Sequence, residues 1–124
     1  MSTLVFGHKN PDTDSVCGAI ALADLKKKLG EDIVPAVQGE LNPESNFVLG
    51  KFGVAAPAVV TSYAGKDVYL VDHSDLAQSP DDLGDANILG IVDHHKLGDV
   101  TTGQPLECWI WPVGCTCTVI ASMY

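Results

Sequence analysis

The stretch LVFGHKNPDTDSV, residues 4–16, decides the fold prediction, because a short apolar run leads through a polar loop into a helical pattern. After this stretch the apolar residues recur close to helical spacing as far as Gly30. Asp14 or Ser15 suits the N-cap of this helix, and Gly30 suits its end. The stretch therefore predicts a strand, a loop and a helix.

The same alternation continues along the chain. Residues 67–72 and 87–93 are nearly all apolar and predict buried strands, whereas 33–37 contains Pro35 and predicts a short or edge strand. Residues 42–52 predict a second helix, with Pro43 in its first turn and Gly53 at its end. We therefore expect the α/β class: a doubly wound, mainly parallel sheet with helices on both faces.

Composition narrows the class of protein. The 124 residues are 46% hydrophobic and 19% charged, which suits one globular core. No apolar run approaches about 18 residues, so we expect no membrane span. The chain does not begin with a basic region followed by an apolar stretch and a cleavage site, so we expect no secretory leader and a cytoplasmic protein. A net charge of −9 with seven Lys and Arg argues against binding nucleic acid. Three of those cations, Lys26–Lys28, are expected to end the first helix and stay solvated.

Four cysteines are expected to be reduced thiols and small buried residues. Cys115 and Cys117 could bind a soft metal, but no second Cys or His pair stands at zinc-finger spacing. Gly7 and Gly18 are expected to permit close backbone approach. Lys9 could approach a phosphate or remain solvated.

Polar clusters follow three of the predicted strands. They are Gly7-His8 with the loop to Asp14, then Asp72-His73, then Asp93-His94-His95. The carboxyl ends of strands in an open α/β sheet face one crevice, so these clusters should converge. A single Asp there is usually a cap or turn residue, but several carboxylates close together repel unless a cation lies between them. The pattern therefore predicts a metal centre.

The donor types indicate which metal. Imidazole mixed with carboxylate favours Mn, Fe, Co or Zn over calcium, which prefers oxygen alone. The clusters contain enough donors for two ions, and a pair of metals about 3.5–4 Å apart is the usual arrangement for in-line displacement at phosphorus. The sequence therefore favours phosphoryl chemistry.

Four motifs together carry a family resemblance over essentially the whole chain: GHKNPDTDS at 7–15, VDHS at 71–74, IVDHH at 91–95 and PVGCTCT at 112–118. They resemble the N-terminal DHH domain of family II, manganese-dependent inorganic pyrophosphatases. The Asp-His-His motif alone would indicate only the wider DHH phosphoesterase superfamily, which includes exonucleases, oligoribonucleases and cyclic-dinucleotide phosphodiesterases.

The resemblance implies a role for each matching residue. It implies two Mn²⁺ ions, with Co²⁺ or Mg²⁺ as possible substitutes: His8 and Asp12 would bind one, Asp14 and His94 the other, and Asp72 would bridge both. His95 would donate to a substrate phosphate, and Asp93 would orient the histidines. For His73 two readings stay open, one in which it lines the site or assists proton transfer and one in which it is structural.

The resemblance has two departures. The family commonly continues its second motif as Asp-His-Asn-Glu, where this chain has Ser74-Asp75 after Asp72-His73. A further aspartate ligand, the C-terminal domain and its Ser-Arg-Lys motif are not among these residues. We therefore expect 1–124 to be an incomplete DHH domain of a longer protein, with little or no turnover by itself.

The function implied for the complete enzyme is hydrolysis of pyrophosphate to two phosphates by a metal-activated hydroxide. The resemblance also implies a homodimer formed through this domain. Two alternatives remain: a DHH phosphodiesterase acting on short oligonucleotides or cyclic dinucleotides, and a metal-binding and dimerisation fragment without catalysis of its own.

Overall fold

Six parallel strands form one sheet in the order β3-β2-β1-β4-β5-β6. The computed structural model describes residues 2–124. The strands are β1 Thr3–Phe6, β2 Ile33–Val37, β3 Ala58–Val59, β4 Asp67–Val71, β5 Asn87–Asp93 and β6 Glu107–Ile110. The α/β class and the parallel sheet are thus confirmed, and the sequence had predicted four of these six strands.

Three α-helices accompany the sheet: α1 Thr13–Lys28, α2 Pro43–Phe52 and α3 Thr116–Met123. The predicted N-cap of α1 was wrong, because Asp12 takes that position and its side chain accepts the backbone N–H of Ser15. The predicted end is confirmed, with Gly30 in the left-handed region just beyond the helix. The predicted Pro43 in the first turn of α2 and its end at Gly53 are also confirmed, and Asn42 is the N-cap of this helix.

The two faces of the sheet are covered differently. On one face α1 and α3 pack against alternate strand residues such as Val5, Val71 and Val92. On the other face, two short 3₁₀ helices, Leu76–Gln78 and Leu83–Asp85, and the loops around them replace α-helices. Tyr63 and Leu83 from these segments are buried on that second face, against residues such as Phe6.

Strand β2 tolerates its proline although it lies inside the sheet. The carbonyl of Val37 accepts the N–H of Val60, so odd-numbered residues of β2 direct their backbone groups towards β3. Pro35 is on that side, but β3 pairs only with Ala36 and Val37. Pro35 lacks a backbone N–H, but β3 does not extend to this position, so no hydrogen bond between strands is lost.

The basic end of α1 is not fully solvated, contrary to the expectation for Lys26. This side chain is buried, its Nζ lies 2.5 Å from Oε1 of Glu107 on β6, and it stands 5.0 Å from the ring centre of Tyr69. Its long apolar stem allows such burial while the ammonium stays paired. Lys27 and Lys28 are exposed as expected.

Two further expectations were wrong: that the cysteines are buried, and that Gly18 permits a close backbone approach. All four cysteines are free thiols, but Cys108 is exposed and the others are only partly buried. A β carbon on Gly18 would make only ordinary contacts, so that position does not require glycine, whereas on Gly7 it would lie 2.7 Å from Oγ of Ser15. Within residues 2–124 no helix is long and apolar enough to cross a membrane.

Candidate metal centre

The predicted polar clusters meet where the strand order reverses. The chain moves from β1 outward to β2 and β3, then returns so that β4 lies on the other side of β1. This is the topological switch point at which open α/β sheets bind ligands. His8 follows β1, Asp72 follows β4, and His94 follows β5, so the convergence predicted from the sequence is observed.

Asp72 lies at the centre of the cluster. Its side chain is buried, and its backbone adopts φ 63°, a left-handed conformation in which Asp and Asn are over-represented. Oδ2 accepts a hydrogen bond from the Ser15 hydroxyl at 2.8 Å, and Oδ1 accepts one from the Thr116 hydroxyl at 3.3 Å. These contacts fix the carboxylate between α1 and α3.

One side of this carboxylate faces His8. Nε2 of His8 lies 3.3 Å from Oδ2 of Asp72 and 3.5 Å from Oδ2 of Asp12. The other ring nitrogen, Nδ1, is 2.6 Å from the carbonyl of Lys9, which leaves Nε2 directed at the two carboxylates. One donor atom from each of the three residues fits within 4.8 Å of the others.

The other side faces His94. Its Nε2 lies 3.1 Å from Oδ1 of Asp72 and 3.6 Å from Oδ2 of Asp14, while Nδ1 contacts the carbonyl of Val113 at 3.0 Å. The carboxylate of Asp14 accepts the backbone N–H groups of Thr116 and Cys117 at the start of α3. Burial by itself raises the pKa of Asp14, but these hydrogen bonds outweigh it and hold the pKa below its ordinary value.

Asp93 contacts both histidines that follow it. Its Oδ1 accepts the backbone N–H groups of His94 and His95 and lies 2.7 Å from Nδ1 of the His95 ring. Asp93 is fully buried, whereas the His95 side chain is half exposed and free to meet a ligand. A second group of donors within 4.8 Å consists of Asp72, Asp93, His94 and His95, and Asp14 is outside it.

His73 is buried beside this centre. Its Nδ1 lies 2.9 Å from the carbonyl of Val71, and its Nε2 is a buried nitrogen without a hydrogen-bond partner in the described part of the chain. Burial lowers the pKa of His73, so the ring is neutral. His73 thus contributes to the cavity wall, and its orientation is set by the strand rather than by another site residue.

The donor set fits a divalent cation. Without one, the hydrogen bond with Asp72 raises the pKa of His8 to about 9, so a proton would have to supply the positive charge between the carboxylates. A cation can take that place, because both histidines anchor Nδ1 on a backbone carbonyl and present Nε2. Within residues 2–124 these contacts include no Lys or Arg, so the carboxylates of the cluster could be neutralised by a bound cation.

A cavity of about 450 Å³ opens beside the centre. Its wall includes Lys9, Asn10, His73 and His95, together with Asp72. Lys9 itself pairs with Asp81 at 3.5 Å and keeps a partly exposed side chain. The cavity therefore has room for a small polyanion next to the predicted metal donors.

Three contacting groups were missed from the sequence: the hydroxyls of Ser15 and Thr116 and the side chain of Gln38. Ser15 and Thr116 stand in the motifs GHKNPDTDS and PVGCTCT, which had signalled a resemblance without giving these residues a role at the metal centre. Gln38 donates to the carbonyls of Gly7 and Gln78 and stands in no motif. Only the packing of distant segments shows these contacts.

Comparison with known proteins agrees with this geometry. Residues 2–124 match the family described as the DHH family, N-terminal domain. The chain belongs to the DHH family. The Asp93-His94-His95 motif that gives the family its name therefore lies at the end of β5, in contact with Asp72.

Relatives of this DHH chain are named manganese-dependent inorganic pyrophosphatases. One from Methanothrix thermoacetophila is 51% identical, over 97% of this chain and 39% of its own length. Another, named a probable enzyme of this kind, from Archaeoglobus fulgidus, is 49% identical over 97% of this chain and 41% of its own length. The chain thus spans about two fifths of the length of the relatives it matches.

Solved structures show the same fold. A putative family II inorganic pyrophosphatase from Methanococcus jannaschii aligns with a TM-score of 0.91 and 49% identity, over 98% of this chain and 38% of that one. An exopolyphosphatase-related protein from Bacteroides fragilis aligns with a TM-score of 0.70 at 12% identity, over 96% of this chain and 37% of that one. The second likeness concerns the fold alone.

Proposed function

We propose that this DHH domain is the metal-holding part of a manganese-dependent inorganic pyrophosphatase. The observation that carries the proposal is the buried carboxylate of Asp72, which lies between two His–Asp pairs. The relatives that share about half of its residues carry that enzyme name. Hydrolysis of pyrophosphate to two phosphates belongs to the whole protein.

The proposed ligands follow the two sides of Asp72. His8 and Asp12 would hold one divalent cation, Asp14 and His94 would hold the other, and Asp72 would contact both. When bound, two such cations acidify a water molecule and neutralise the charge of the phosphate groups. Mn²⁺ suits the mixed imidazole and carboxylate donors, and Co²⁺ or Mg²⁺ could substitute.

The remaining residues of the proposed site would contact the substrate or line the cavity. His95 would donate a hydrogen bond to a phosphate oxygen, and Asp93 would hold the ring in that orientation through its contact with Nδ1. His73 would line the cavity with a neutral ring; because its Nδ1 donates to the carbonyl of Val71, its buried Nε2 is an acceptor.

Charge limits what this chain can do alone. Pyrophosphate is a polyanion, and the chain has a formal net charge of −9, so cations must come from the metals and from parts of the protein outside residues 1–124. We therefore propose that 1–124 is an incomplete domain with little or no turnover by itself. A cytoplasmic location and a homodimer formed through this domain are parts of the same proposal.

A chimera tests the function directly. Residues 2–124 would replace the matching segment of the Archaeoglobus fulgidus relative, and phosphate release from pyrophosphate would be measured with Mn²⁺. We expect the chimera to release phosphate, and we expect Asp72→Asn in the chimera to abolish the release. The unaltered relative is the positive control for the assay.

Two results would contradict the proposal. One is a folded chimera that binds Mn²⁺ but releases no phosphate while the relative does. The other is a chimera that hydrolyses a dinucleotide in preference to pyrophosphate, because this would favour the phosphodiesterase branch of the DHH superfamily. Circular dichroism of the chimera establishes folding in either case.

A further inference from the structure

The side chain of Gln38 joins two loops beside the His8 half of the metal centre. Its Nε2 donates one hydrogen bond to the carbonyl of Gly7 at 2.8 Å and another to the carbonyl of Gln78 at 2.9 Å. The carbonyl of Gln78 also accepts the backbone N–H of Lys9 at 3.0 Å. The peptide group before His8 therefore accepts a hydrogen bond from the Gln38 amide, and the peptide group after His8 donates one to the Gln78 carbonyl.

Little freedom remains for the loop that carries His8. Gly7 packs so closely on Ser15 that a β carbon there would lie 2.7 Å from Oγ of Ser15. The His8 ring contacts the carbonyl of Lys9 through Nδ1. Because the ring is anchored to its own loop, the position of Nε2 depends on where Gln38 holds that loop.

The His94 half of the centre is held by other groups. Its ring contacts Val113, and Asp14 accepts the N–H groups of Thr116 and Cys117. No hydrogen bond within residues 2–124 joins Gln38 to any of these residues. The two halves thus share Asp72 but have separate supports.

We propose that Gln38 is a positioning residue that sets the divalent-cation affinity of the His8 half of the centre and leaves the His94 half unaffected. This proposal takes one part of the proposed function as its basis, namely that His8, Asp12 and Asp72 bind a cation. The side-chain amide of Gln38 has two N–H donors, and each donates to a backbone carbonyl. Methionine has a similar length but no N–H donor, so it cannot form these hydrogen bonds. Loss of such a support around a metal ligand typically lowers affinity about tenfold or more.

The test measures Mn²⁺ binding to each half separately. Gln38→Met is introduced into a His94→Gln background, where only the His8 half retains its histidine, and into a His8→Gln background, where only the His94 half does. Titrations are followed by the electron paramagnetic resonance signal of free Mn²⁺. Gln104→Met is the matched control, because Gln104 is exposed and its side chain makes no hydrogen bond in the described residues.

We expect Gln38→Met to weaken Mn²⁺ binding about tenfold in the His94→Gln background and less than about twofold in the His8→Gln background. Equal weakening in both backgrounds would show only a structural role and would overturn the proposal, as would no weakening in either. A wild-type chain that binds no Mn²⁺ would instead contradict the proposed function itself.

A second readout covers backgrounds that bind Mn²⁺ too weakly to titrate. Histidine ring resonances are compared between the metal-free wild type and Gln38→Met. The proposal predicts that the His8 signals shift while those of His94 do not. Unshifted His8 signals, or shifts of equal size at both rings, would overturn it.

Discussion

The backbone N–H of Gly98 donates a hydrogen bond to the hydroxyl of Ser74 at 2.8 Å. Two more hydrogen bonds join the same loops, from the N–H of Val100 to the carbonyl of Ser74 and from the N–H of Leu76 to Oδ1 of Asp99. The loops that follow β4 and β5 are therefore fastened to each other, and these two loops begin with the predicted site residues.

Gly98→Ala tests how tightly these loops are joined. A β carbon at this position would lie 2.5 Å from the carbonyl carbon of Ser74, too close for the backbone to remain in place. We expect the free energy of unfolding, measured with urea, to fall by about 1–3 kcal/mol. Gly103→Ala in the same loop is the control, because nothing lies within 4 Å of its added methyl group. Equal effects of the two substitutions would contradict the account.

Asp12 has two roles that substitutions can separate. Its side chain caps α1, and the same carboxylate faces His8. Asp12→Asn keeps a capping oxygen but removes the charge, so we expect the metal-free free energy of unfolding to change by less than about 0.5 kcal/mol while Mn²⁺ affinity falls. Asp12→Ala should cost a further ~1 kcal/mol by removing the cap. Undiminished Mn²⁺ affinity in Asp12→Asn would remove Asp12 from the ligand set.

The ion pair of Lys26 and Glu107 should make stability depend on pH. Burial alone lowers the pKa of Lys26 and raises that of Glu107, but their mutual hydrogen bond outweighs burial, so the pKa is raised for Lys26 and lowered for Glu107. The Glu107 contribution is present above its unfolded pKa of about 4.3 and disappears as pH falls through the lower folded value. The Lys26 contribution is present below about pH 10.4 and disappears as pH rises through the higher folded value.

Lys26→Met should therefore destabilise the protein most between about pH 5 and 10. The difference from wild type should shrink as pH falls below the unfolded value of about 4.3 and through the lower folded pKa of Glu107. Thermal unfolding across this range measures it. Lys27→Met is the control, because Lys27 is exposed and forms no ion pair within the described residues. A destabilisation by Lys26→Met that is constant with pH would assign its role to packing alone.

The strands and helices with strong local patterns were predictable, and the weakly patterned ones were not. Strands β4 and β5 are continuous apolar runs, and α2 has a clear cap and end. Strand β3 has only two residues, both exposed, and β6 is an edge strand with partly exposed side chains, so neither carries a distinctive pattern. Their place in the sheet depends on pairing with neighbours distant in sequence.

The site was predictable to the extent that topology determines it. Residues directly after parallel strands must meet at one edge of the sheet, so the proximity of His8, Asp72 and His94 followed from the strand prediction. The contacts of Gln38 and Thr116 did not follow, because they join segments 31 to 44 residues apart through side chains outside the strand ends. The sequence did not single out Asp12 as the cap of α1, because Asp14 and Ser15 are equally good capping residues by type.

Manganese binding to the wild-type chain and to Asp72→Asn tests the central claim most directly. Asparagine also suits the left-handed backbone at this position and retains an acceptor for the Ser15 or Thr116 hydroxyl, so the fold should persist. We predict two Mn²⁺ ions per wild-type chain and a marked loss of affinity for both in Asp72→Asn. Equal Mn²⁺ stoichiometry and affinity in the two proteins would contradict a metal centre built around Asp72.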